Sequence, residues 1–173
     1  QLIKLIPGAG NLIVPVLTEC LEKKPPWYVI RNVVFIISEL NNTSLFSMVE
    51  PYLSHRDIRV QQQVLSCIVK TSGNRLKERL IEALPRVHDE LKMQIIMQLG
   101  QMRGDDVSEA LLRLLEDRDM FRKEMYIELL VKLCVALKFS PKREVIQALS
   151  DLVEERKKTA GPTDPAPTQP PRA

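Results

Sequence analysis

No apolar run in this 173-residue chain approaches the roughly 20 residues that a membrane-spanning helix needs. The first residues show no signal-peptide pattern, and no membrane partner is expected. Cysteine is sparse: Cys20, Cys67 and Cys134 are odd in number, far apart, and without a CxxC pair. That argues against a disulfide framework or a cysteine-based zinc site. Cys67 and Cys134 fall in apolar helical stretches and read as buried thiols, which points to a reducing, cytoplasmic setting. Only two histidines occur, His55 and His88, each in a short turn between helical patterns. Turns of neighbouring helix pairs stand roughly 10 Å apart, whereas zinc needs its ligands about 2.1 Å from one ion. Both therefore read as exposed turn histidines, and neither a metal nor another cofactor is expected. The formal charge of +3 comes from 25 basic and 22 acidic residues with both signs interspersed, not from the dense basic stripe that nucleic acid demands. No GxSxG, P-loop, HExxH or GxGxxG pattern is present. Glu50, Glu82, Glu109 and Asp151 read as solvated charges on outer helices, so no enzymatic activity is expected.

What the chain does contain is a repeat. Val29, Val33 and Ile37 recur as Val60, Val64 and Ile68, then Leu91, Ile95 and Leu99, then Phe121, Met125 and Leu129. The steps are 31, 31 and 30 residues, with the internal spacing of four kept each time. A period near 30 with two short helical patterns per unit predicts a helical solenoid. Calling the two helices of a unit A and B, the pairs are Asn11–Lys23 with Trp27–Leu40, Ser44–Ser54 with Asp57–Thr71, Asn74–Val87 with Asp89–Met102, and Asp106–Glu116 with Asp119–Leu137. A last A-type helix runs from Pro141 to Lys157. Pro25 and Pro26 interrupt the first pair because they lack amide hydrogens. Asp57, Asp89, Asp106 and Asp119 offer oxygens to free amides at helix starts. Ser140-Pro141 places a capping hydroxyl before a proline at the first helical position. Gly73 and Gly104 suit the left-handed conformation at helix ends.

The two ends read differently. Residues 1–10 look like the remnant of a preceding repeat and its loop, with Leu2, Ile3, Leu5 and Ile6 before Pro7-Gly8-Ala9-Gly10. Residues 11–158 form the array, which is expected to be a piece of a longer one. Residues 159–173 carry five prolines and no apolar pattern, a composition that predicts a disordered tail or linker. Solenoid repeats bury apolar surface only against neighbours. The N-terminal face of Leu2, Ile3, Leu5, Ile6, Leu12, Ile13 and Val16 is therefore expected to self-associate. The last helix, with Lys142, Arg143, Glu144, Asp151, Glu154 and Glu155, is expected to act as a polar cap.

In this register the chain resembles HEAT repeats of the short bacterial type, within the broader HEAT-like and armadillo-type helical repeats. The resemblance is carried by Pro26-Trp27-Tyr28-Val29-Ile30-Arg31-Asn32-Val33 with Ile37-Ser38-Glu39-Leu40. It recurs in Asp57-Ile58-Arg59-Val60 with Val64, Leu65 and Ile68, and in Leu99-Gly100-Gln101-Met102. It covers about residues 11–157. The implied fold is all-α, a right-handed α-α superhelix of about four helix pairs with a partial N-terminal repeat and a C-terminal helix. One departure matters. The basic residue that follows the first apolar position is Arg31, Lys92 and Arg122 in three units, but Gln61 or Gln62 in the second, which breaks any ladder of Asp–Arg pairs.

The resemblance places B helices on a concave surface. Two positions per B helix lie beside its apolar stripe and stack into rows: Arg31, Gln62, Met93 and Lys123, then Phe35, Ser66, Met97 and Ile127. Phe35, Met93 and Met97 suit an amphipathic partner helix. The residues Gln61, Gln62, Gln63, Gln94, Gln98 and Gln101 read as a solvated polar face. Trp27 and Tyr28, behind two prolines, read as a corner that locks a turn. The expected function is a non-catalytic protein-protein interaction scaffold within a larger intracellular protein. The alternatives are nucleic-acid binding by a HEAT-like array, as in HEAT-like DNA glycosylases, and an accessory role resembling the HEAT-like phycobilin lyases. The first needs a basic concave face, whereas Arg56, Arg59, Arg75, Lys77, Arg79 and Arg86 scatter over turns and outer helices. The second needs a chromophore-sized pocket.

Overall fold

A computed structural model describes residues 6–102, 104–116, 126–138 and 140–159, with side chains placed from Ile13 to Glu155. Within these residues the chain is helical and contains no strand. The helices are α1 (Ile6–Glu22), α2 (Trp27–Leu40), α3 (Phe46–Val49), α4 (Ile58–Thr71), α5 (Leu76–Ala83), α6 (Asp89–Met102), α7 (Asp105–Glu116), α8 (Tyr126–Leu137) and α9 (Arg143–Thr159). No helix among them is long and apolar enough to cross a membrane.

The B-type helices follow the periodic stripe closely. Val33, Ile37, Val60, Val64, Ile68, Leu91, Ile95, Leu99 and Leu129 are all buried, and Val29 is half-buried. The expected start at Asp119, with Phe121, Met125 and the basic Arg122, lies outside the described residues. Asp57 caps α4 as its position implies, its Oδ1 accepting from the amide of Arg59 at 3.0 Å. Asn41 closes α2 in the left-handed conformation at φ 48°, its amide donating to the Ser38 carbonyl. Gly73 and Gly104 fall between helices with φ of +49° and +139°, where an L side chain would be strained.

Several A-type helices depart from the expected spans, and in the second and third the break falls beside a proline. The second is broken: only Phe46–Val49 is α-helical, between tighter turns at Thr43–Leu45 and Glu50–Ser54. Pro51 supplies no amide there, so the α ladder loses a hydrogen bond at that point. The third stops at Ala83 rather than Val87, ahead of Pro85. The last starts at Arg143 rather than Pro141. Pro7–Gly10, expected to be a loop, belongs to α1. Pro7 is its second residue, where an amide has no intrahelical partner to lose.

Packing is pairwise. α2 lies along α4 and α6 along α8; α1 covers α2, α5 bridges α4 and α6, and α7 packs on α8 with α9 against it. Polar contacts join consecutive units. Lys70 meets Glu39 at 2.7 Å, Arg86 meets Glu50 at 2.8 Å, Lys77 meets Asp106 at 2.8 Å, and Lys142 meets Glu109 at 2.8 Å. The Ser140 hydroxyl donates to Ser108 at 2.9 Å. The last helix is no polar cap. Val145 is buried, but Ile146 and Val153 on α9 and Ile127, Val131 and Val135 on α8 stand more than half exposed. The charges of α9 occupy only part of its circumference, so the apolar remainder faces outward. At the other end Val16 is exposed and Ile13 half-buried, while the side chains of residues 2–12 lie outside the described set.

Gly100 decides how closely α6 and α8 approach. A Cβ there would stand 2.8 Å from the Cβ of Ala136 and 3.0 Å from its Cα. Gly100→Ala is therefore expected to destabilise by about 1–3 kcal/mol, the usual range for overpacking. Ala136→Gly in the same chain should recover part of that loss, although glycine in a helix itself costs about 1 kcal/mol. Urea melts of the two single variants and the double variant measure the coupling; additive losses would show that the helices do not meet at this point.

Candidate functional site

The polar end of the array is organised by turns. Trp27 opens α2 and lies half-buried beneath the Arg59 guanidinium, 3.5 Å above its ring, with Arg31 at 5.7 Å and Tyr28 edge-on at 5.9 Å. Asp57 grips the same guanidinium through Nε at 2.9 Å and Nη2 at 2.7 Å. The aromatic corner thus ties the start of α2 to the start of α4. The Arg59 fork holds the Asp57 carboxyl well below its ordinary range, at about 2. Hydrogen bonds from Lys77 and Lys142 lower Asp106 and Glu109 in the same direction.

The next junction is different. Gln61 is buried on α4, and its carboxamide spans two turns: Nε2 donates to the His55 carbonyl at 2.6 Å, and Oε1 accepts from the His88 amide at 2.8 Å. This is the position where the basic pattern of the other units is broken. A neutral group that both donates and accepts here replaces a cation. The two histidines are half-buried parts of these turns rather than exposed ones. His55 Nδ1 accepts from the Asp57 amide at 3.0 Å, and His88 Nδ1 is buried without a hydrogen-bond partner. No group of three or more His, Cys, Asp or Glu is gathered among the described residues in a way that could hold a metal ion.

Beyond that bridge, α4 and α6 enclose an open groove of about 580 Å³. From α4 it takes Gln62, Leu65, Ser66, Val69 and Lys70; from α6 it takes Gln94, Ile95, Met97, Gln98 and Gln101. Of the eight row residues, the groove brings together Gln62, Ser66 and Met97. Met93 is half-buried and packs against the core. Phe35 is half-buried on α2, and Arg31 is occupied beside Trp27, donating to Asn32 Oδ1 at 3.3 Å. Ile127 lies in a second, more apolar groove of about 590 Å³ between α8 and α9, with Leu130, Val131, Cys134, Val135 and Leu152. Lys123 lies outside the described residues. The rows therefore do not make one continuous surface. They divide because α2 covers part of α4 and α8 covers part of α6, while α4 and α6 leave space between them.

Gln94, Gln98 and Gln101 of α6, expected on a solvated face, are exposed or half-buried along the groove. Their spacing at i, i+4 and i+7 from Gln94 places Gln98 and Gln101 on one face, and that signal was legible. Nothing local marks Leu65, Val69 or Lys70 as groove residues. Arg79, expected on the surface, is buried against the Phe46 ring at 4.1 Å and donates to Ser72 at 3.1 Å. Burial pushes the Cys67 and Cys134 thiols up, which keeps them protonated and poorly nucleophilic at neutral pH; Cys134 is half-buried rather than buried.

No family model, curated protein or solved structure matches this chain. The reading of its function therefore rests on its own geometry.

Two outcomes follow from the junctions. Carboxyls held low in the folded state contribute stability that is complete above their unfolded pKa near 4 and is lost as pH falls through the folded value. The urea midpoint should thus be flat from about pH 5 to 7 and fall between about pH 4 and 2, with Asp57→Asn shrinking that fall. Gln61→Leu should destabilise by about 1–3 kcal/mol, because the His55 carbonyl and His88 amide lose their partner. A midpoint unchanged by this substitution would show that the bridge carries no load.

Proposed function

We propose that this chain is a non-catalytic protein-interaction module, a HEAT-like solenoid whose docking surface is the groove between α4 and α6. One observation carries the reading: α4 and α6 leave an accessible cleft between them, and three of the row residues line it. The cleft combines apolar walls at Val69 and Met97, both about half exposed, with uncharged polar groups. That mixture suits a polypeptide better than a phosphate backbone. Many cations are already engaged by carboxylates, as in Arg59–Asp57, Lys70–Glu39, Lys77–Asp106, Arg86–Glu50 and Lys142–Glu109. Nucleic-acid binding needs such cations free and aligned. A cytoplasmic setting fits the thiols of Cys20, Cys67 and Cys134, none of which is in a disulfide.

The test uses a photo-crosslinking residue at position 98 and, as a control, at position 113 on α7. A specific partner should be captured through position 98 and not through 113. Met97→Asp should weaken its binding by at least about tenfold, or roughly 1.4 kcal/mol, while thermal stability stays within about 0.5 kcal/mol, as for other exposed positions. Tight binding of DNA or RNA at about 0.15 M salt would reverse the assignment.

A further inference from the structure

The cleft between α4 and α6 is bordered by carboxamides on both sides, Gln62 from α4 and Gln94, Gln98 and Gln101 from α6. Among the described residues, none of these four side chains is engaged in a hydrogen bond. Among the described residues no carboxylate lines the cleft, and the one cation that does, Lys70, is paired with Glu39 at 2.7 Å. A complementary ligand is therefore uncharged and carries both donors and acceptors. A carboxamide pairs an acceptor oxygen with two N–H donors, the same combination that a peptide unit displays. A helical partner has already satisfied its own main chain, whereas an extended segment leaves its N–H and C=O groups free.

Size agrees with that choice. At 1.5 Å per helical residue, Gln94 to Gln101 covers about 10.5 Å, the length of about three extended residues at roughly 3.4 Å each. Side chains of an extended segment point alternately to either side. One set would meet Met97 and Val69 above the floor of Leu65 and Ile95, and the other would face water. We propose that the cleft binds a short, uncharged, extended segment of a partner polypeptide through its main-chain amides, with aliphatic side chains at alternate positions. This rests on the reading of the cleft as a docking surface, and it replaces the amphipathic helix suggested by the apolar row residues.

The experiment is an NMR titration of the full ¹⁵N-labelled chain, followed through the side-chain amide signals of the four glutamines. The probes are a capped hexapeptide alternating Ser and Val, the same peptide N-methylated at alternate amides, and a capped amphipathic helical peptide of Ala, Leu and Gln. Saturable shifts with the first peptide are expected, with at least tenfold weaker binding after N-methylation. The Gln94→Leu, Gln98→Leu double variant, checked for an unchanged backbone spectrum, should lose binding to the same degree. Tighter binding of the helical peptide, or indifference to N-methylation, overturns the extended-segment proposal and leaves the docking surface standing. If neither the extended nor the helical peptide shifts these signals at millimolar concentration, the docking surface itself is overturned.

Discussion

A helix of 14 residues buries one stripe and exposes the rest, and no pair of such helices can cover its own apolar surface. The B-type helices supply that cover in pairs, α2 with α4 and α6 with α8. Val34, Val64, Ile68, Ile95 and Ile96 reach almost complete burial only because α2 meets α4 and α6 meets α8. At about 1.5–3 kcal/mol for each fully buried aliphatic side chain, this inter-unit burial outweighs any single polar contact. Everything else in the chain is arranged around it. Gly100 lets α6 and α8 close on each other, and the prolines set the lengths of the shorter helices without touching the stripe.

The polar junctions do a different job. Exposed ion pairs such as Lys70–Glu39 and Lys142–Glu109 add little energy each, but they link residues about one repeat apart and so favour one register. Buried junctions are less forgiving. Gln61 ties two turns together with two hydrogen bonds and no charge, so the start of α4 meets the start of α6 without the desolvation cost of a buried cation. By contrast, the Asp89–Lys92 pair on α6 is almost fully buried, where both charges carry a desolvation cost that their mutual contact offsets.

Open surface appears where the stacking rule is incompletely obeyed. Between α4 and α6 the uncovered walls are amide-rich, with Lys70 paired to Glu39, while between α8 and α9 they are largely aliphatic. The two grooves have nearly equal volume and quite different chemistry. The thiol of Cys134 in the second groove is protonated at neutral pH and adds no reactivity to it.

The apolar triplets determined by themselves that the chain is helical, how the B-type helices are spaced, and which side chains fill the core. A stripe at i, i+4 and i+8 has one way to be buried, so Leu91, Ile95 and Leu99 declare their face without reference to anything else. Asp57 and Gly104 declared helix boundaries for the same local reason. Which row residues share a surface was decided only by the tertiary structure. Ser66 and Ile127 hold equivalent positions, yet α6 stands across a gap from one and nothing among the described residues covers the other. That outcome depends on the distance between helices far apart in the chain, set by Gly100, Gln61 and the broken second A helix. A periodic pattern carries the direction of each side chain but not the separation between neighbouring elements, and a groove is made of that separation.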